Sequence, residues 1–308
     1  MVSRADIEAA HQRIAPYIRE TPVIALEPGA LGVPTPLLLK LESLQHTGSF
    51  KPRGAFNRLL TSDVPTAGVI AASGGNHGIA VAYAAQQLGI PAEIFVPTIS
   101  ASVKIERIRG YGAQVTITGE AYAEAFAASQ KRSQETGALV VHAYDQPEVL
   151  AGQGTLGREW ESQVAQIDTL LIAVGGGGLI GGIAAWFAGR VTIIGVEPEG
   201  SSAFASALRA GELVDVSVNS IAADSLGARR VGTLMFALAR QYRVNCLLVS
   251  DAAIQEAQRR LWQELRLVAE PGGATALAAL TSGVYQPAPG ERVGVLICGG
   301  NTAPGTVG

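Results

Sequence analysis

The chain has 308 residues, of which 48% are hydrophobic and 16% charged, and its formal net charge is −3. This composition excludes a disordered chain and, with no basic patch or tail, argues against nucleic acid as a partner. The length predicts two lobes or one large α/β unit. Cys246 and Cys298 lie far apart and the four histidines are scattered, so no ligand-spaced metal cluster is expected and a reduced, cytoplasmic setting fits.

Short β-branched runs alternate with longer Ala-rich amphipathic segments, the pattern of a parallel α/β sheet. The chain opens on a predicted helix over 5–19, which mixes charges with apolar residues and is not a secretion signal. Then follow a strand over 37–41, a helix over 52–60, a strand over 69–72, a helix over 78–88, a strand over 92–96 and a helix over 102–110. Further on, a strand over 114–117, a helix over 121–135 and strands over 140–142 and 170–174 are predicted. The series ends with a helix over 179–188, strands over 192–196 and 246–249, a helix over 251–264 and a strand over 293–297.

Thr169 to Gly189 is 21 residues without a charge, the length of a membrane span, but seven glycines, four of them consecutive, fit a strand, a loop and a helix better. No membrane span is expected. Nine strands are too many for one small sheet. Cuts near Ser62 and Tyr144 predict a small domain, 63–144, inserted in a larger one made of 1–62 and 145–308.

In open sheets of this type, ligands bind beyond the carboxyl ends of strands, where glycine-rich turns enter helices. The first such turn is His46-Thr47-Gly48-Ser49-Phe50-Lys51-Pro52. Pro52 suits the first helical position, which puts Lys51 at the positive end of a helix dipole. Lys51 is then either a surface lysine that tolerates this cost, or an amine whose pKa is lowered enough to act as a nucleophile. The second turn, Ser73-Gly74-Gly75-Asn76-His77-Gly78, offers backbone N–H groups to an anion such as a substrate carboxylate. Asn76 would serve a phenolic oxygen, and the competing reading is a plain strand–helix turn capped by Ser73 or Asn76.

The third turn holds Gly175, Gly176, Gly177 and Gly178, a backbone cradle suited to a phosphate. Gly176, Gly178 and Gly181 also satisfy G-x-G-x-x-G, with Glu197 about 20 residues on, so a dinucleotide site is a serious rival. Against it stand five predicted strands before the pattern and two turns that a nicotinamide oxidoreductase leaves unexplained. The fourth turn follows a predicted buried strand, Cys298-Gly299-Gly300-Asn301-Thr302, where Cys298 either fills core space or offers a weakly polar group to a ligand.

These four turns in this order resemble the fold-type II pyridoxal-phosphate enzymes (tryptophan synthase β-like), and within them the threonine/serine dehydratase and serine racemase group. S-F-K-x-R-G-A at Ser49 to Ala55, S-G-G-N-H-G and G-G-G-G carry the resemblance, which covers nearly the whole chain. It implies two open, twisted, mostly parallel sheets flanked by helices. By resemblance, Lys51 holds pyridoxal 5'-phosphate as an imine and Phe50 packs against the ring. Asn76 binds the ring's phenolic oxygen, and Gly175, Gly176, Gly177 and Gly178 hold the phosphate. Cys298 faces the pyridine nitrogen, and Gly227 lies in the segment passing over the cofactor. The turn of Ser73, Gly74, Gly75, Asn76 and His77 takes the substrate carboxylate.

The implied reaction is dehydration of L-threonine or L-serine to a 2-oxo acid and ammonia, with Lys51 as the base. Phenylserine, hydroxyaspartate, serine racemisation and β-replacement are the alternatives within the group. Racemases carry a serine where this chain has Gly74, and an acidic residue of their cation site where it has Ala203. Weak racemisation and no metal requirement are therefore expected. A homodimer is expected by resemblance, as is the lack of a C-terminal regulatory domain beyond Asn301.

Overall fold

The computed structural model describes residues 1–100 and 102–306. Its strands are β1 (Val23–Leu26), β2 (Leu37–Leu41), β3 (Val69–Ala72), β4 (Ala92–Val96), β5 (Gln114–Ile117), β6 (Leu139–Val140), β7 (Thr169–Ala173), β8 (Thr192–Pro198), β9 (Asn245–Val249) and β10 (Val293–Ile297). Its helices are α1 (Arg4–Ile14), α2 (Lys51–Leu60), α3 (Asn76–Leu88), α4 (Ser102–Gly110), α5 (Tyr122–Thr136) and α6 (Pro147–Gln163), then α7 (Gly178–Phe187), α8 (Ala203–Ala210), α9 (Ala223–Leu226), α10 (Thr233–Gln241), α11 (Asp251–Leu265) and α12 (Pro271–Thr281).

A six-stranded sheet runs β1-β2-β10-β7-β8-β9, and a four-stranded sheet runs β5-β4-β3-β6. Every pairing is parallel except β1 with β2. Helices cover parallel sheets on both faces, so their strands read as unbroken apolar runs. β7 and β10, buried at every position, show this most clearly.

The structure departs from the sequence expectation in four places. The first helix ends at Ile14, and Ala15–Tyr17 tighten into a 3-10 turn around Pro16, which has no N–H to continue the ladder. The strand expected over 140–142 is Leu139–Val140. β1, a short half-buried edge strand, was not predicted. Nor were α6, α8, α9, α10 and α12.

For α6 the reason is glycine, which lowers helix propensity by about 1 kcal/mol per residue relative to alanine. Here it permits close backbone approach. A Cβ on Gly152 would lie 2.5 Å from the Arg53 carbonyl oxygen of α2, and one on Gly154 would lie 2.8 Å from the Gly182 carbonyl oxygen of α7. α12 has no polar face to reveal it, because most of its length is buried all round.

One core surrounds the six-stranded sheet, with Trp160, Phe187 and Phe204 fully buried. A second, against the four-stranded sheet, gathers Ile79 and Ile94 with Ile14 of α1 and Phe56 of α2. We propose Ser62 and Tyr144 as domain boundaries, with this second core reaching across the first of them. Among the described residues no helix is long and apolar enough to cross a membrane.

Candidate active site

Four turns meet at the carboxyl ends of β2, β3, β7 and β10. The lysine turn is stitched to the terminal turn by a bridge between Ser49 and Gly299. Phe50 N–H donates to the Cys298 carbonyl at 3.2 Å, and Gly300 N–H to the Gly48 carbonyl at 2.9 Å. Asn76 joins the asparagine turn to the terminal turn and to the residue before α12: its Nδ2 donates to Glu270 Oε1 at 2.5 Å, and its Oδ1 accepts from Asn301 Nδ2 at 2.7 Å.

Lys51 opens α2 with Pro52 behind it. Its Nζ donates to the Ala143 carbonyl at 3.0 Å and lies 5.1 Å from the Phe50 ring centre. Burial holds the ammonium well below its ordinary value of 10.5, at about 8, although Cys298 and Glu270 oppose the shift. The amine is thus a base and nucleophile within reach of neutral pH. Imine formation with an added aldehyde needs the neutral amine, so its rate should climb through about pH 8 rather than about 10.5. Stopped-flow reconstitution between pH 6.5 and 9.5 checks this, and a rate that keeps rising towards pH 10.5 would contradict it.

The glycine loop lies beside this amine. Tyr144, one residue beyond Ala143, presses its ring against Gly176, where a Cβ would come within 2.1 Å of the ring. Gly177 has φ +89°, which side chains rarely adopt, and Met235 fills the space where its Cβ would go. Gly178 lies against the Tyr144 backbone, and Gly175 against Ser225 and Leu226. α7 starts at Gly178, so first-turn N–H groups without intrahelical partners line this loop. Gly227 follows Leu226 at the end of α9, next to the same loop.

In the asparagine turn, Ser73 Oγ accepts from Gly75 N–H at 3.1 Å. A Cβ on Gly74 would lie 2.0 Å from Ser100 Oγ. His77 donates from Nε2 to the Val141 carbonyl at 2.9 Å, and burial together with Lys51 lowers its pKa to about 3, so it is neutral. Cys298 is buried with its thiol 3.5 Å from the Gly272 carbonyl, and burial pushes its pKa up to about 12.

Sequence reasoning missed Glu270, Tyr144, the Ala143 carbonyl and the side-chain role of Asn301. Glu270 is buried 2.5 Å from Asn76, and burial pushes its carboxyl up to about 7. Its only sequence signal is a lone acid inside an apolar run, LVAEPGGATALAAL. Glu197 lies elsewhere: its carboxylate accepts from Phe204 and Ala205 N–H at the start of α8, both at 2.9 Å. Among the described residues no three side chains gather as metal ligands.

An amine with a lowered pKa, a donor amide and a glycine cradle too tight for any side chain fit a phosphorylated aldehyde held through a lysine. Parallel sheets that present these groups at their carboxyl ends define the class as fold-type II cofactor enzymes. The chain belongs to the pyridoxal-phosphate dependent enzyme family, whose model matches residues 14–299. It is 37% identical to phenylserine dehydratase of Ralstonia pickettii over 97% of this chain and 93% of that protein. It is 34% identical to L-threonine ammonia-lyase of Thermotoga maritima over 98% of this chain and 76% of that protein. On maize serine racemase it superposes with a TM-score of 0.92 at 33% identity, over 99% of this chain and 95% of that one.

Proposed function

We propose that this enzyme dehydrates small β-hydroxy amino acids, L-threonine and L-serine foremost, to a 2-oxo acid and ammonia. The observation that carries the reading is Lys51, an amine near neutrality where the four turns meet, in a chain whose curated relatives include ammonia-lyases and dehydratases. When bound, pyridoxal phosphate supplies an electron-withdrawing ring that acidifies the substrate α-carbon. Lys51 takes the α-proton at Nζ. Gly175 to Gly178 bind phosphate through their backbone, and Phe50, Asn76, Gly227 and Cys298 border the ring. Backbone N–H groups of Ser73 to His77 hold the substrate carboxylate. Gly74 brings no proton donor of its own to the face opposite Lys51, so racemisation is expected to be weak. We place the enzyme in the cytoplasm, where its two unpaired cysteines fit a reduced setting, and as a homodimer on the strength of the resemblance.

A second reading, a β-aryl substrate, is favoured by the wall next to Lys51. Tyr122, Phe126, His142 and Tyr144 form a ladder of rings with successive centroid distances of 5.9, 5.9 and 4.6 Å. Release of 2-oxo acid from L-threonine, L-serine and threo-3-phenylserine decides between the two. The first reading expects the small substrates to have the higher kcat/KM. If phenylserine leads, Tyr122→Ala should lower its kcat/KM by about three- to tenfold, the worth of one aromatic contact, and leave threonine unchanged. No 2-oxo acid from any of the three would overturn both.

A further inference from the structure

The side-chain amide of Asn76 can face the ring site with its NH₂ or with its oxygen, and only the NH₂ face can donate to a phenolate. Local contacts in its own turn do not settle which. We infer that Arg107, on α4, and Asn301, in the terminal turn, are positioning residues that fix the donor face of Asn76. The inference rests on the proposed role of Asn76 toward the cofactor.

The argument follows hydrogen-bond polarity from one end of a relay to the other. A guanidinium donates and never accepts. Arg107 Nη1 meets Asn301 Oδ1 at 2.6 Å, so the oxygen of Asn301 must point at Arg107. Its NH₂ therefore points the other way, where it donates to the Thr47 carbonyl at 2.8 Å and to Asn76 Oδ1 at 2.7 Å. The Thr47 carbonyl only accepts and agrees with that orientation. With its oxygen engaged, Asn76 turns its NH₂ to Glu270 Oε1 and has a second N–H left for a ligand. Asn301 is thus orientated by two groups that cannot exchange their roles, a guanidinium and a carbonyl, and it passes that orientation on to Asn76.

The relay is also built into the backbone. Gly48, at φ +76°, leaves the space that Asn301 Oδ1 occupies; a Cβ there would lie 2.4 Å from it. α4 belongs to the segment between the two proposed boundaries, and Asn301 follows β10 of the other sheet. The same helix spans the cleft a second time, where Lys104 pairs with Asp224 of α9, next to the residues that back Gly175. Through these two contacts α4 both sets the polarity of Asn76 and braces the glycine loop.

Arg107 is exposed, so its replacement is not expected to unfold the protein. Arg107→Glu puts an acceptor where a donor stood and favours the reversed orientation of both amides. Arg107→Lys keeps a donor, and Asn301→Asp removes the NH₂ that engages Asn76. The measurements are the cofactor dissociation constant and the pH titration of the yellow absorbance of the loaded enzyme. Arg107→Glu and Asn301→Asp should each weaken cofactor retention about tenfold, the worth of a lost hydrogen bond at a buried group, and move the titration. Arg107→Lys should stay near the parent on both counts. Parent-like retention and titration in Arg107→Glu would overturn the inference while leaving the proposed function standing. A parent protein with no yellow form would sink the site assignment and this inference with it.

Discussion

Lys51→Ala is expected to give a colourless protein that releases 2-oxo acid at least about 10⁴-fold more slowly than the parent, the upper range for one positioned base. The loss should exceed that from any other single site residue, because the amine has two tasks in the proposal: holding the cofactor and moving the α-proton. Lys51→Arg should be equally inactive although it keeps a cation, since a guanidinium is neither a nucleophile nor a base near neutral pH. The protein should still fold, because among the described residues Nζ makes one hydrogen bond, to the Ala143 carbonyl. Absorbance spectra together with a coupled 2-oxo acid assay check this. A yellow, active Lys51→Ala variant would refute the assignment.

The largest expected effect on stability lies beneath the site. Arg53, two residues after Lys51, is fully buried, and its guanidinium forks onto Glu42 at 2.7 and 2.8 Å and reaches Glu159 at 2.8 Å. Lys40, also fully buried, meets Glu159 at 2.5 Å and the Thr21 carbonyl at 2.7 Å. Two buried cations are thus matched by two buried carboxylates. The network ties the end of β2 to the first turn of α2 and to α6.

Removing one partner leaves an uncompensated buried charge. Arg53→Leu should therefore cost about 3–5 kcal/mol, read from the denaturant midpoint. Paired neutralisation behaves differently. The Lys40→Met, Glu159→Gln double variant should lose less than the sum of its two single variants, because each change removes the other's unpaired charge. Strict additivity in that cycle would show the two charges to be uncoupled. The proximity of Arg53 to Lys51 also means that the frame on which the amine is carried should loosen along with the fold.

Much of this architecture was written locally in the chain. Parallel strands such as Leu170 to Ala173 and Val293 to Ile297 are buried on both faces, and a continuous apolar run is their direct signature. Glycine turns after strands pointed to Lys51, Asn76 and Gly175 to Gly178 for the same local reason. What stayed hidden depends on partners remote in sequence. α6 reads as a poor helix until its glycines are seen against α2 and α7. Glu270 is no more than a lone acid in an apolar run until Asn76, 194 residues away, is seen to donate to it. Arg107 reads as a surface charge until its bond to Asn301 appears. The G-x-G-x-x-G reading of Gly176 to Gly181 shows the same limit from the other side. Its spacing is correct locally, and what tells against it is its late place in the chain together with the lysine and asparagine turns.

The most direct test of the account is to reduce the native enzyme, supplied with ample pyridoxal phosphate, with borohydride and to map the peptides by mass spectrometry. The account predicts one phosphopyridoxyl group per chain, on the peptide that contains Lys51. An unmodified Lys51 peptide, or a label on Lys40, Lys104 or Lys131 instead, would contradict it.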